Sequence, residues 1–316
     1  MNPQISVVIC TLNRDYYLKS ALQSLVNQTL FRENFEILVI DNGSIDQTKK
    51  IVTQEFAFLG NIFYVYEPQT GLNYARNTGL KNTRGKYIAY LDDDAIASPQ
   101  WLENILSVFQ NSPPNVGCVG GKIDPLWESD RPEWLSDNLL GYLAILDISP
   151  ISTILSKGQF LYGVNFAFDK NILQSIGGFE AGLDRQGKNL LSNGDIMIQK
   201  RIQDQGYVCF YDPQISVQHQ IQTSRLQPEW FYQRVYWQGI SDATMKIKHN
   251  QSVLIHIAVS IKACLYLLGA YLNFSNLLTN NLNKVVVTKC NILRKKGYAM
   301  TILGLINMED NNFSII

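Results

Sequence analysis

The sequence predicts an α/β fold in which a mixed, mainly parallel sheet is flanked by helices and followed by a helical C-terminal tail. Near the N-terminus, short apolar runs alternate with segments of helical periodicity, a rhythm typical of βαβ units. Three of these runs end in polar clusters. Because the carboxyl ends of parallel strands share one edge of a sheet, we expect the clusters to line a single ligand site.

The composition is that of a globular protein without an electrostatic preference for nucleic acid. Hydrophobic residues make up 46% of the 316 residues, charged residues 17%, and the formal net charge is zero, so no nucleic-acid partner is expected. The five cysteines contain no CxxC pair and fit a reducing compartment. The N-terminal apolar run is too short and too early for a signal peptide, so we expect the catalytic part in the cytoplasm.

Continuous apolar, β-branched runs predict the strands, because such runs suit a strand that is buried on both faces. In the N-terminal half they cover residues 5–10, 35–40, 61–67 and 86–91. Helical spacing predicts helices over 17–28 and 46–56, and a third that ends near residue 82. Later strands are predicted over 116–122, 158–169, 206–211 and 215–219, the last two as a pair.

Two small residues mark local features of the second half. Gly163 lies inside the predicted strand 158–169, where a glycine indicates a close approach of another part of the chain. Pro99 predicts the start of a helix, since proline is favoured just inside a helix N-terminus.

The strand at 86–91 ends in three carboxylates, Asp92, Asp93 and Asp94. Carboxylates are rarely buried without a partner, so this cluster needs a cation, water or a ligand. Aspartate oxygens are hard ligands that suit Mg2+ and Mn2+, and these ions usually bind substrate phosphates as well. Taken alone, the cluster is equally compatible with an acidic turn or a helix N-cap.

Four segments together resemble the family 2 glycosyltransferases of GT-A fold. They read ISVVICTLNR, FEILVIDNGSIDQT, GLNYARNTGL and GKYIAYLDDD in chain order, and the resemblance covers about residues 1–220. No GxGxxG follows the first strand and no GxxxxGK[ST] occurs in the chain, so neither a dinucleotide fingerprint nor a P-loop is supported.

The resemblance implies a nucleotide-sugar donor that lies along the sheet edge. Thr11 and Asn13 match the loop that borders the nucleotide, and Asp41 matches the acid that hydrogen-bonds the base, commonly uracil. Arg76 matches a basic residue near the nucleotide. The alternatives are an Asx-turn role for Asp41, and a solvated helix charge or an internal ion pair for Arg76.

The resemblance also implies a divalent metal, Mn2+ or Mg2+, that bridges the donor diphosphate. Asp92 and Asp94 match the outer positions of the DxD motif, which contacts the ribose and the metal, and Asp93 between them is assigned to the donor site. His219 matches a histidine that completes the metal site in some relatives, and imidazole suits Mn2+. A purely structural histidine is the alternative.

Asp195 matches the general base of the family, the second acid of a pair at a helix start. Gly194 stands where the first acid is usual, so the pattern is half kept. A single displacement needs one carboxylate to take the proton of the acceptor hydroxyl, and a helix N-terminus favours its ionised form. The same position suits a helix N-cap, which is the alternative.

The resemblance assigns the acceptor side to the irregular, aromatic-rich stretch 124–150. In the following aromatic helix, 229–239, the sequence is similar to the QxxRW motif of processive relatives, but Tyr236 stands where that motif has arginine. We therefore expect one transfer per acceptor rather than long-chain synthesis.

The segment 253–274 has the length of a bilayer span, which takes roughly 20 residues. Lys262 lies in its middle, where a charge costs about 2.5–3.5 kcal/mol on insertion scales, and the flanking lysines favour an anionic leaflet. Three interpretations stay open: peripheral or re-entrant contact at the inner face of the cell membrane, a buried helical subdomain or dimer interface, and a true span.

The expected organisation is a nucleotide-sugar-binding half over 1–95, an acceptor-binding half over 96–225 and a C-terminal helical region over 226–316. The expected function is metal-dependent, inverting transfer of a sugar, with a UDP-sugar favoured, to a glycan or lipid-linked acceptor in polysaccharide biosynthesis. The alternatives are a nucleotidyltransferase and a catalytically impaired domain of GT-A fold that acts as a binding or scaffold module.

Overall fold

A computed structural model describes residues 2–112, 115–185, 189–249, 258–262, 264–265, 268–269 and 277–305. The chain forms two compact units. The first contains Met1–Leu126, Ala144–Ala181 and Gly194–Gln220, and the second contains Trp127–Leu143, Gly182–Asn193 and Ile221–Ile316. The functional division at residues 95 and 225 stays a prediction.

Nine strands of the described residues form one sheet in the first unit. They are β1 (Ile5–Thr11), β2 (Phe35–Asp41), β3 (Ile62–Tyr66), β4 (Tyr87–Leu91), β5 (Ala95–Ala97), β6 (Val116–Trp127), β7 (Thr153–Ile154), β8 (Asn165–Asp169) and β9 (Val208–Ile221). The helices are α1 (Asp15–Val26), α2 (Thr48–Lys50), α3 (Leu72–Asn82), α4 (Trp101–Asn111), α5 (Lys170–Ser175), α6 (Gly194–Asp204), α7 (Pro228–His249) and α8 (Leu282–Ile302).

The strand order is β3-β2-β1-β4-β8-β6-β9-β5, with β7 also paired to β9. Strand β1 is parallel to β2 and to β4, and β2 is parallel to β3. Ile5 lies level with both Phe35 and Tyr87, so the carboxyl ends of β1, β2 and β4 meet at one edge. Because β1 and β2 are buried almost throughout, their continuous apolar runs identified them correctly.

The other half of the sheet is antiparallel, which gives the predicted mixed architecture. Strand β8 is antiparallel to β4 and to β6, and β9 is antiparallel to β5 and β7. The fold class is therefore confirmed, and the parallel part contains all three strands that carry the polar clusters.

Strand β8 is shorter than the predicted strand 158–169. Only Asn165–Asp169 joins the sheet, because the preceding backbone hydrogen-bonds side chains instead of a neighbouring strand. The N–H of Leu161 donates to Gln199 Oε1 over 2.8 Å, and the N–H of Gly163 donates to a carboxylate of α6 over 2.7 Å.

Strand β9 is continuous, whereas two strands were predicted. Tyr211 pairs with β7 and Val217 pairs with β5, so the strand changes partner around Pro213. A proline is tolerated there because the sheet needs no ladder donor at that point.

Two predicted helices differ locally. The helix predicted over 46–56 is α2 followed by a π-helical turn, Ile51–Glu55, closed by the N–H of Phe56 on the carbonyl of Ile51. Helix α4 begins at Trp101 with Gln100 as its N-cap, so Pro99 precedes the helix instead of lying just inside it.

Buried apolar side chains pack in two clusters against the sheet. Trp101 of α4 is fully buried, and its Nε1 donates to Asn165 Oδ1 over 2.8 Å. Asn165 in turn donates to the carbonyl of Ile215 over 2.8 Å. This chain of hydrogen bonds fixes β8 between α4 and β9.

In the second unit, α7 and α8 approach each other through two glycines. A Cβ on Gly239 would lie 2.0 Å from the carbonyl oxygen of Arg294, and one on Gly297 would lie 2.3 Å from that of Tyr236. Only glycine permits such a backbone contact.

Most of the segment 253–274 lies outside the described residues. Within the part of the chain that the structure describes, no helix combines the length and apolar character that a bilayer crossing requires.

We expect Gly239→Ala to destabilise the protein. Alanine gains about 1 kcal/mol of helix propensity, but overpacking against Arg294 costs about 1–3 kcal/mol and backbone atoms cannot yield as a side chain can. Urea denaturation followed by circular dichroism measures the change. Asn291→Ala, at an exposed position of α8, is the control, and equal midpoints for the two variants would contradict the close approach.

Candidate active site

The acidic cluster after β4 is partly buried and has partners. Asp93 and Asp94 are 5% and 2% exposed. Arg14, in the loop after β1, places Nε 3.1 Å from Asp93 Oδ1 and Nη2 2.5 Å from Asp94 Oδ2. Thr11 donates its hydroxyl to Asp93 Oδ2 over 2.7 Å. Arg14 thus supplies a compensating cation for two of the three carboxylates, Asp93 and Asp94.

Sequence reasoning missed Arg14, although a signal was present. Since β1 and β4 are adjacent and parallel, a cation just after β1 must lie near acids just after β4. Arg14 also lies over the ring of Tyr17, at 5.0 Å from its centroid. Basic residues that follow adjacent parallel strands reach the same edge of the sheet as acidic residues do.

His219 joins the acidic cluster from a distant part of the chain. Its Nε2 lies 3.3 Å from Asp94 Oδ1, and both side chains are buried. The contact follows from the sheet, because His219 pairs with Ala95 of β5, directly after Asp94. In addition, the N–H of Gln220 donates to the carbonyl of Asp94 over 2.8 Å.

Burial raises the pKa values of two carboxyl groups in the cluster, those of Asp92 and Asp93. Burial raises the pKa of Asp93 to about 7, with Arg14 opposing the shift and Asp94 adding to it. Burial also raises the pKa of Asp92, while Arg76 opposes this. The chemistry of the cluster therefore favours the approach of another positive charge.

The donor set suits a divalent ion that is shared with a ligand. Asp92 is partly exposed, and among the described residues its carboxylate accepts no hydrogen bond. Asp92, Asp94 and His219 offer carboxylate oxygens and an imidazole nitrogen, which fit Mn2+ or Mg2+. Within the described ranges no three such residues already surround one point, so a metal here needs outside ligands such as phosphate oxygens.

A second charged group surrounds Asp195, the second residue of α6. Its Oδ1 lies 3.1 Å from Arg76 Nη1, and its Oδ2 accepts the N–H of Gly163 over 2.7 Å. Arg76 is buried on α3 beneath the rings of Phe166 and Phe179, at 5.3 and 5.2 Å. For Arg76 the structure shows the internal ion pair, formed with the carboxylate that was predicted as base.

Gly163 makes this arrangement possible. A Cβ at this position would lie 2.1 Å from Arg76 Nη2 and 3.0 Å from Asp195 Oδ2. The close approach predicted for Gly163 is confirmed, although it occurs in the segment before β8 rather than within a strand.

Arg76 links the two charged groups. Burial acts against its positive charge, but Asp195 and then Asp92 hold the pKa of Arg76 above its usual value. Cys10 lies near the same charges, and burial raises the pKa of its thiol to about 12, so this cysteine stays protonated. The guanidinium of Arg76 thus pairs with Asp195 and also feels the charge of Asp92.

Asp41 and Asn13 connect the loops after β1 and β2. Asp41 is buried and accepts from the N–H of Ser44 and from the hydroxyl of Tyr64, both over 2.8 Å. Asn13 accepts the N–H of Ile45 over 2.8 Å and donates its own N–H to Ser44. Asp41 therefore accepts from the backbone three residues on, not two as in an Asx turn, and each of its oxygens keeps one lone pair for a ligand.

The family model described as Glycosyl transferase family 2 matches residues 6–177, which is more than half of the chain. The chain belongs to this family. It is an enzyme of the glycosyltransferase class, and this argues against the nucleotidyltransferase alternative.

Two relatives come from Haloferax volcanii. The chain is 26% identical over 253 residues to a glucosyl-dolichyl phosphate glucuronosyltransferase, covering 79% of each protein. It is 29% identical over 206 residues to glycosyltransferase AglE, covering 65% of this chain and 63% of the relative.

A solved structure shares the fold. It is a mannosyltransferase from Pyrobaculum calidifontis in complex with GDP-Man and Mn2+, with a TM-score of 0.62 at 17% identity, covering 95% of this chain and 88% of that one. The GT-A fold expected for this family 2 glycosyltransferase is confirmed.

We expect Arg14→Met to destabilise the protein more than a matched surface change. Removing one partner of a buried pair costs about 3–5 kcal/mol; because Arg14 is 24% exposed, we expect about 2–3 kcal/mol at pH 8. Lys19→Met, which breaks an exposed pair with Glu55, should cost less than about 1 kcal/mol. Urea denaturation measures both.

The loss of unfolding free energy caused by Arg14→Met should also depend on pH. The folded-state pKa of Asp93 lies above the value of a free aspartate, so the folded protein binds more protons between about pH 4 and 7. Protonation removes the uncompensated charge, and the deficit should therefore shrink from pH 8 to pH 5. A deficit that grows toward pH 5 would contradict the pairing.

Proposed function

We propose that this glycosyltransferase moves a sugar from a nucleoside diphosphate donor, a UDP-sugar first of all, to a glycan or lipid-linked acceptor. The reaction is inverting, uses Mn2+ or Mg2+, transfers one sugar per acceptor and serves polysaccharide or glycolipid synthesis. The observation that carries the proposal is the position of Arg76, which pairs with Asp195 at 3.1 Å, while the charge of Asp92 in the acidic cluster also raises the pKa of Arg76. A metal–diphosphate group and a base can therefore act on the same sugar.

The metal would be held by Asp92, Asp94 and His219. When bound, a divalent ion neutralises the charge that develops on the departing diphosphate. Arg14 keeps Asp93 and Asp94 compensated on the protein side of the site. The mannosyltransferase of similar fold, in complex with GDP-Man and Mn2+, supports the same use of a cation here.

Asp195 would act as the base toward the acceptor hydroxyl. Its side chain is 28% exposed, so an acceptor can reach it, and each oxygen keeps a lone pair beyond its contact with Arg76 or Gly163. Those two contacts hold the carboxylate in one orientation, and a base needs this to take a proton during attack. Attack on the face opposite the leaving diphosphate gives inversion.

Asp41 would recognise the nucleobase of the donor, and Thr11 and Asn13 would border the nucleotide. Burial raises the pKa of Tyr64, and Asp41 adds to the shift, so the tyrosine hydroxyl stays protonated and keeps donating to Asp41. The carboxylate is then fixed with its remaining lone pairs available to an N–H of uracil.

A lipid-linked acceptor is supported by the name of one relative, which acts on glucosyl-dolichyl phosphate. Peripheral contact with the cytoplasmic face of a membrane fits the C-terminal region, where every side chain of Asp, Glu, Lys or Arg between Asp242 and Glu309 is basic. Ile261, Leu265 and Leu268 are exposed apolar side chains of the same region.

We expect Asp195→Asn to lower kcat by about 10²–10⁴-fold, because the amide cannot accept the acceptor's proton. Nucleoside diphosphate release is measured from UDP-glucose, UDP-glucuronic acid and GDP-mannose, with Mn2+ and a glucosyl phosphate lipid as acceptor. Asp204→Asn, at the exposed end of the same helix, should leave kcat unchanged. Full activity of Asp195→Asn would remove the base role.

We expect EDTA to abolish turnover, and Asp92→Asn to weaken Mn2+ binding in the presence of UDP by at least about 10-fold. Isothermal titration calorimetry gives the affinity without requiring turnover. Asp130→Asn, at an exposed position, is the control. Unchanged Mn2+ affinity in Asp92→Asn would place the metal elsewhere.

A further inference from the structure

Asn193 is a strained residue that immediately precedes α6. Its φ is 81°, in the left-handed region that asparagine tolerates better than most residues. Asn193 is only 5% exposed. Gly194 and Asp195 follow it directly, so the conformation of Asn193 sets the backbone at the start of the helix that carries the proposed base.

A polar network within the second unit holds this asparagine at both ends of its amide. Asn193 Nδ2 donates to Asp242 Oδ1 over 3.0 Å, and Asn193 Oδ1 accepts from Gln238 Nε2 over 2.8 Å. Gln238 Nε2 also lies 2.9 Å from Asp242 Oδ1. The neighbouring Ser192 donates its N–H to Ser241 Oγ over 3.0 Å. Three side chains of α7, those of Gln238, Ser241 and Asp242, thus hold two consecutive residues.

Helix α8 anchors the network from behind. Arg294 places Nε and Nη2 3.1 and 2.7 Å from Asp242 Oδ2, and its Nη1 donates to the hydroxyl of Tyr142 over 3.2 Å. The two oxygens of Asp242 are therefore divided, one toward Asn193 and the other toward Arg294. The glycine contact of Gly239, directly beside Gln238, holds α7 against α8.

We propose that α7 and α8 position the catalytic base through this network, which we call the Asn193 clamp: Asn193, Gln238, Asp242 and Arg294. The clamp residues are positioning residues, since they act on Asp195 only through the backbone that joins Asn193 to it. This inference rests on the proposed base role of Asp195. The clamp lies beyond residue 177, where the match to the family model ends, so it is a feature of this chain's own C-terminal part.

The test variant is Asn193→Gly. Glycine adopts a positive φ at no steric cost, so the backbone conformation stays accessible while both amide hydrogen bonds are lost. We expect hydrogen–deuterium exchange in the first turn of α6 to accelerate, and nucleoside diphosphate release to fall by about 10–100-fold, as small misplacements of a reacting group do. The dissociation constant of UDP with Mn2+ should stay within about twofold, since no donor-side residue changes.

Gln238→Ala removes a clamp residue of α7. It should also accelerate hydrogen–deuterium exchange in the first turn of α6 and lower nucleoside diphosphate release. Asn291→Ala, at an exposed position of α8, is the control and should move neither.

The outcomes separate the clamp from the base. If Asp195→Asn abolishes release while Asn193→Gly changes neither release nor exchange in α6, the clamp is overturned and the base stands. If Asp195→Asn stays active, the base role fails, and the clamp loses its catalytic meaning with it. If Asn193→Gly weakens UDP binding as much as it lowers release, the network supports the whole site rather than the base, which also overturns the inference. Exchange in α6 gives a result even if none of the three donors is turned over.

Discussion

Carboxylates that leave bulk water need a positive charge close by, and the site of this glycosyltransferase is arranged around that requirement. Asp93 and Asp94 are buried at the end of β4 and pair with Arg14, while Asp195 pairs with the buried Arg76. An uncompensated charge in such places would cost several kcal/mol. Each pair joins residues that are far apart in the chain, so compensation of charge and assembly of the site are the same event.

The two arginines that make these pairs belong to different elements. Arg14 belongs to the loop after β1, and Arg76 belongs to α3, which precedes β4. The parallel register of β1 and β4 brings Arg14 to the carboxyl edge of the sheet, beside Asp93 and Asp94. Asp92 accepts no hydrogen bond from the described residues, so it is the carboxylate of the cluster best placed to bind an incoming cation.

The residues of the C-terminal helices are compatible with two roles. The basic character between Asp242 and Glu309 is suited to an anionic surface, as part of a site for a lipid-linked acceptor. The clamp on Asn193 gives α7 and α8 a second role, which acts on the base through the chain itself. The two roles use different side chains. Contact with an anionic surface would use the lysines and the exposed apolar side chains, whereas the clamp uses a network of polar side chains around Asn193, so one region can serve both.

The sequence by itself determined the strands β1, β2 and β4, the acidic cluster at Asp92–Asp94, the helix start at Asp195 and the family, because apolar runs, turn residues and motifs are local properties. Tertiary structure decided which partners meet: Arg14 pairs with Asp93 and Asp94, His219 lies against Asp94, and Arg76 pairs with Asp195 beside Gly163. It also decided that β9 is one strand. These contacts depend on which strands become neighbours, and strand pairing is set by packing across the whole sheet, which no local pattern records.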